Sequence, residues 1–155
     1  MRTISVRQVQ SDKDVQFTGA IAQNAGENED FASGLELKEC ALVGIEVISK
    51  QNLDWEIWFS SKTCATNFGN TDLDLDGYLG RCLFAVADGK QSTDSGVTSY
   101  YYSKEMASPI ILRDDTTTNT KFNLHMRLVN RNATAKNAGA TGEIVVKLAV
   151  DTGIK

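Results

Sequence analysis

The chain has 155 residues, 41% hydrophobic and 23% charged, with 16 Lys+Arg against 20 Asp+Glu and a formal net charge of −4. That length suits one domain over 1–155 that folds without a disulfide or metal, and the apolar content excludes intrinsic disorder. An acidic balance with no run of five like charges disfavours direct nucleic-acid binding, and no apolar run reaches the roughly 20 residues that span a bilayer, so no membrane association is expected.

Hydrophobic period sets the class. The start, Met-Arg-Thr-Ile-Ser-Val, lacks the apolar core of a signal peptide, so export by that route is not expected. Extended runs rich in β-branched and aromatic residues cover 3–9 and 41–49, and between them Gly34 allows at most one short helix within 28–40. Over 53–60, Leu53, Trp55, Ile57 and Phe59 alternate onto one face. Further extended runs occupy 78–87, 97–102 and 109–112, the last opened by the single proline, Pro109. Residues 121–130 put Phe122, Leu124, Met126 and Leu128 on one side. Residues 142–151 repeat the pattern with Ile144, Val146, Leu148 and Val150.

The segments between these runs, 18–34, 66–77, 88–96, 113–120 and 130–142, are dominated by Gly, Asn, Asp, Ser and Thr. About eight short strands with long polar loops predict an all-β fold. Its form is a two-sheet antiparallel β-sandwich of jelly-roll or immunoglobulin-like type.

Little in the chain carries chemistry. Cys40, Cys64 and Cys82 are odd in number, contain no C-x-x-C, and read as small buried hydrophobes instead of a disulfide framework. Asp54, Glu56 and Trp58 share one strand face, a spacing that two glycosidic carboxylates can have, although alternating acids on a solvated face are ordinary; Trp58 reads more naturally as a protein or sugar contact. Asp72, Asp74 and Asp76, followed by Gly77, match the first half of a calcium loop. The position for the bidentate Glu is Leu83, so an acidic turn is the commoner reading. His125 falls on the polar face of its strand with Asn123 and Arg127 and is expected to be exposed. Tyr100 and Tyr102 share a side and are assigned to the core. Asn132-Ala-Thr fits a glycosylation sequon, read as a chance match. No G-x-S-x-G, G-x-x-x-x-G-K-[ST] or G-x-G-x-x-G occurs, and no enzymatic activity or cofactor is expected.

Charge is segregated. Glu27, Glu29, Asp30, Glu36 and Glu39 against Lys38 give 27–39 a net of −4, and Lys121, Arg127, Arg131, Lys136 and Lys147 against Glu143 give 121–147 a net of +4. The two patches either steer one copy onto another, through Arg127, Arg131 and Lys136 meeting Glu27, Glu29 and Asp30, or compensate each other internally.

The C-terminal hairpin from Leu124 to Leu148, two long strands flanking the small-residue loop Asn-Ala-Thr-Ala-Lys-Asn-Ala-Gly-Ala-Thr-Gly, resembles the closing hairpin of small β-sandwich structural proteins of tailed bacteriophages. The resemblance implies a nonenzymatic virion protein, assembled in the host cytoplasm. Such a protein is a capsid decoration or cement protein, or a neck or tail component, that binds a major capsid or neck protein and further copies of itself. The alternative is a carbohydrate-binding or adhesion module using Trp58, with calcium at Asp72, Asp74 and Asp76.

Overall fold

A computed structural model describes residues 6–10, 20–32, 39–64, 77–116, 122–137 and 144–153. Among the described residues eleven strands follow in order: β1 (Val6–Gln10), β2 (Ala20–Ile21), β3 (Gly26–Ala32), β4 (Glu39–Ser49), β5 (Trp55–Ser60), β6 (Tyr78–Phe84), β7 (Lys90–Asp94), β8 (Val97–Arg113), β9 (Asn123–Asn130), β10 (Lys136–Asn137) and β11 (Ile144–Asp151). A 3₁₀ turn, Val86–Asp88, lies between β6 and β7. No helix among the described residues is long and apolar enough to cross a membrane.

Every ladder is antiparallel. One sheet runs β1-β11-β4-β8-β7, a second runs β3-β9-β5-β6, and β10 with β2 forms a separate ribbon. Leaving aside β2, β7 and β10, the pairing is nested: first with last (β1·β11), second with seventh (β3·β9), third with sixth (β4·β8), fourth with fifth (β5·β6). One long antiparallel hairpin rolled so that its strands alternate between two sheets produces this order. It is the jelly roll, which decides between the two sandwich types the sequence allows.

The alternating apolar positions meet between the sheets. Trp55, Ile57, Phe59, Phe122, Leu124, Met126 and Leu128 from one side pack with Leu42, Val47, Tyr102, Ile144, Val146, Leu148 and Val150 from the other, all buried. Tyr102 reaches across: its ring meets Phe84 edge-on at 6.0 Å, and its hydroxyl donates to Asn52 Oδ1 at 2.5 Å. Gly80, at φ 148°, lies where the sheets come close, and a Cβ there would sit 3.0 Å from Ile110. All three cysteines are free and buried, and burial pushes the thiols of Cys40 and Cys64 up to about 12 and that of Cys82 up to about 11.

Several sequence expectations are corrected. Of the segment 28–40, where the sequence allows one short helix, residues 28–32 and 39–40 are strand, because β3 gains its backbone partners from β9 and β4 from β8, and residues 33–38 lie outside the described residues. The runs at 97–102 and 109–112 are parts of one strand, and Pro109 lies inside it instead of opening one. There the register slips between Leu42↔Ile110 and Gly44↔Glu105, so the proline sits in a bulge where no ladder N–H is demanded of it. Part of the expected loop 88–96 is strand β7.

Candidate functional site

The outward face of the four-stranded sheet gathers the polar side chains of its two central strands. Directly opposed residues share a face, so Trp58 on β5 lies between Arg81 on β6 and Arg127 on β9, with Asn28 on β3 beyond. One pair along, Glu56 lies between Leu83 and Val129. Arg131, just past β9, folds back across this surface.

Glu56 is the centre of the arrangement. Its side chain is 4% exposed, yet it carries charge because Arg81 Nη1 pairs with Oε1 at 2.8 Å and Arg131 Nε donates to Oε2. Burial would raise the carboxyl, but the hydrogen bond from Arg131 and the charges of Arg131 and Arg81 outweigh it and hold Glu56 below the usual carboxylate range. Arg131 also donates Nη1 to Asn24 Oδ1 at 2.8 Å and sits 5.8 Å from the Trp58 ring centre, while Tyr78 meets that ring edge-on at 5.9 Å. Arg127 Nη1 donates to Asn28 Oδ1 at 2.7 Å. An open pocket of about 360 Å³ is lined by Glu56, Arg81, Leu83 and Arg131, where Arg81 and Leu83 are 59% and 50% exposed.

A second cluster lies further along the same face. His125, opposite Ser60 and Asp30, is 3% exposed, which corrects the expectation of an exposed histidine. The alternation placed it on the outward face correctly, but the segments after β5 and β8 close over it: Asp115 N–H donates to the Ser61 carbonyl at 2.8 Å and Cys64 N–H to Asp30 Oδ1 at 3.3 Å. The ring is held between Asp30, 2.5 Å from Nδ1, and Asp114, 3.3 Å from Nε2. Burial would raise Asp114, yet donors from Thr116, Asn123 and His125 bring it down to about 2. With both ring nitrogens engaged and the group covered, this cluster ties loops to the sheet.

The site residues expected from sequence do not all come together. Trp58, Arg127 and Arg131 come together. Glu27, Glu29 and Asp30 lie on β3, immediately beside β9, so the acidic and basic segments adjoin within one sheet; burial and the neighbouring Asp30 raise the Glu29 carboxyl. Lys136 stands apart, on the ribbon of β10 and β2 opposite Ile21. Asp54 accepts the Val86 N–H at 2.8 Å, which engages it in the turn after β6 and leaves Glu56 alone among the arginines. Asp72, Asp74 and Asp76 lie outside the described residues, and among the described residues no group of three or more His, Cys, Asp or Glu is placed to hold a metal ion.

Sequence reasoning missed Arg81 and Tyr78. Both stand opposite β5 across the β5·β6 ladder, a pairing that becomes visible only once the strand register is known. What the face offers chemically is a tryptophan set among three guanidiniums over one buried carboxylate, a composition enriched at protein interfaces.

No protein-family model and no curated protein matches the chain. Among solved structures the chain is similar to one of Desmodium yellow mottle tymovirus, at 14% identity over 97% of this chain and 87% of that chain, with a TM-score of 0.27. It is similar also to one of infectious bursal disease virus, Gx strain, at 10% identity over 99% of this chain and 38% of that chain, with a TM-score of 0.28.

Proposed function

We propose that the chain is a virion structural protein, a jelly-roll subunit that decorates or cements the capsid of a tailed bacteriophage, or serves in its neck or tail, by binding neighbouring capsid subunits. The observation that carries this reading is the row Arg81–Trp58–Arg127 across three strands of one outward sheet face, with Arg81 exposed and Trp58 and Arg127 half-buried. A rigid sheet presents this row, and Glu56 and Arg131 brace it, so little side-chain entropy remains to be lost when an acidic surface docks. Jelly rolls serve both viral capsids and lectins, so fold alone does not choose between the two readings.

A carbohydrate-binding role would draw on the Trp58 ring and the adjoining pocket. Arg131 already lies over that ring, which leaves less of its face for a sugar to stack on. Mass spectrometry of gradient-purified particles from the phage whose genome carries this gene tests the virion role. The chain is expected at a fixed copy number per major capsid protein, and its absence from intact particles would remove the proposal.

A further inference from the structure

The five-stranded sheet ends in β7, whose five residues are all exposed and whose neighbour in the sheet, among the described residues, is β8 alone. Ser95-Gly96 joins the two, with φ of 49° and 81°, the two positive values that a type I′ turn requires. Across such a turn the flanking residues, here Asp94 and Val97, exchange both backbone hydrogen bonds, and bonded and non-bonded pairs alternate from there. Ser92 and Lys90 therefore also turn their N–H and C=O toward β8. Gln91 and Thr93 turn theirs outward, so the edge presents two donors and two acceptors at fixed spacing, with no proline or bulge to blunt it.

The sequence of this edge, Lys-Gln-Ser-Thr-Asp, is complementary to itself read in reverse. An antiparallel copy with Ser92 opposite Ser92 sets Gln91 opposite Thr93 of the copy, so the two residues with outward backbone groups face each other at both ends and all four hydrogen bonds close. The same register sets Lys90 opposite Asp94 twice. A slip of one residue would oppose outward groups to inward ones. A slip of two would keep only one outward pair within β7 and lose both charge pairs, so backbone bonds and charge together select Ser92 as the axis. Val97 and Tyr101, 53% and 38% exposed, lie opposite Asp94 and Lys90 on β8 and add apolar surface on that face.

We infer that β7 is a self-association edge: two copies pair it antiparallel about a two-fold axis at Ser92 and continue the five-stranded sheet from one copy into the next. The contact is isologous and closes as a dimer. It belongs to the other sheet from the Trp58 face, so both surfaces are usable together, and it stands independently of any capsid partner.

Sedimentation equilibrium from about 10 µM to 1 mM tests it. Wild type should dimerise within that range. Lys90→Asp and Asp94→Lys should each weaken the dimer roughly tenfold by setting like charges opposite at two symmetric points, and the double variant K90D/D94K should recover to within about threefold of wild type. Thr93→Pro, which removes an N–H that faces solvent in the monomer together with the Thr93–Thr98 hydroxyl contact, should abolish the dimer while the monomer stays folded, and Thr93→Ala, which loses the same contact but keeps the N–H, should still dimerise. A wild type that stays monomeric throughout overturns the inference. So do single reversals that dimerise like wild type, or a double variant no better than the singles.

Discussion

Arg131, the residue after β9, donates to the buried Glu56 carboxylate on β5 while its guanidinium lies over Trp58 on the same face. The contact joins the start of the loop after β9 to the middle of the four-stranded sheet, and it explains how a carboxylate that is 4% exposed remains charged. Neither residue alone marks a site; together they turn a polar sheet face into a fixed cationic and aromatic surface.

Replacing Arg131 by Ala leaves Glu56 with Arg81 alone and should destabilise the fold by about 1–3 kcal/mol, the range for a buried group losing a charged partner. Arg131→Lys should recover only part of the loss, because an ammonium cannot reproduce the planar fork that serves Glu56 and Asn24 together. Urea unfolding of the three proteins checks the order.

The acid limb of the stability curve should carry Asp114. Its folded value of about 2 lies below the ordinary 3.8, so its contribution is fully present above about pH 4 and is lost as pH falls toward 2. With the side chain 2% exposed, the contribution is about 2 kcal/mol. Asp114→Asn should flatten the wild-type decline between pH 4 and pH 2, as read by denaturant midpoints at a series of pH values. An unchanged slope in the variant would sink this assignment.

The core prediction is independent of any partner. Leu124 and Ile144 face each other's sheets at 2% and 1% exposure, and truncation of either to Ala should cost roughly 2–5 kcal/mol. Tyr102→Phe keeps the packing on Phe84 but removes the hydroxyl that serves Asn52 and the Leu53 N–H, and should cost about 1 kcal/mol. A Phe variant as stable as wild type would show that the hydroxyl does not help to clamp the two sheets.

How much of this was legible in the sequence follows from the range of the interactions. The inward faces of β5, β9 and β11 are written in local alternation, and Trp55, Leu124 and Ile144 are buried as the period requires. β3 was not legible: Gly-Glu-Asn-Glu-Asp has poor strand propensity and is extended because β9 supplies its ladder. The burial of His125 depends on loops that cross the strand from elsewhere in the chain, and the alignment of Arg81 with Trp58 depends on the β5·β6 register. Alternation says which way a side chain points, but it does not say what else arrives there.

The most direct measurement of the central claim is co-sedimentation of the chain with shells assembled from the major capsid protein of the virus that carries its gene. Wild type should bind saturably, at a fixed ratio to capsid subunits. Trp58→Ala with Arg127→Ala should lose most of that binding while remaining folded, since both residues lie on the outward face and the pairs of Arg81 and Arg131 with the buried Glu56 are kept. Wild type that stays in the supernatant, or a double variant that binds as tightly as wild type, would contradict the account.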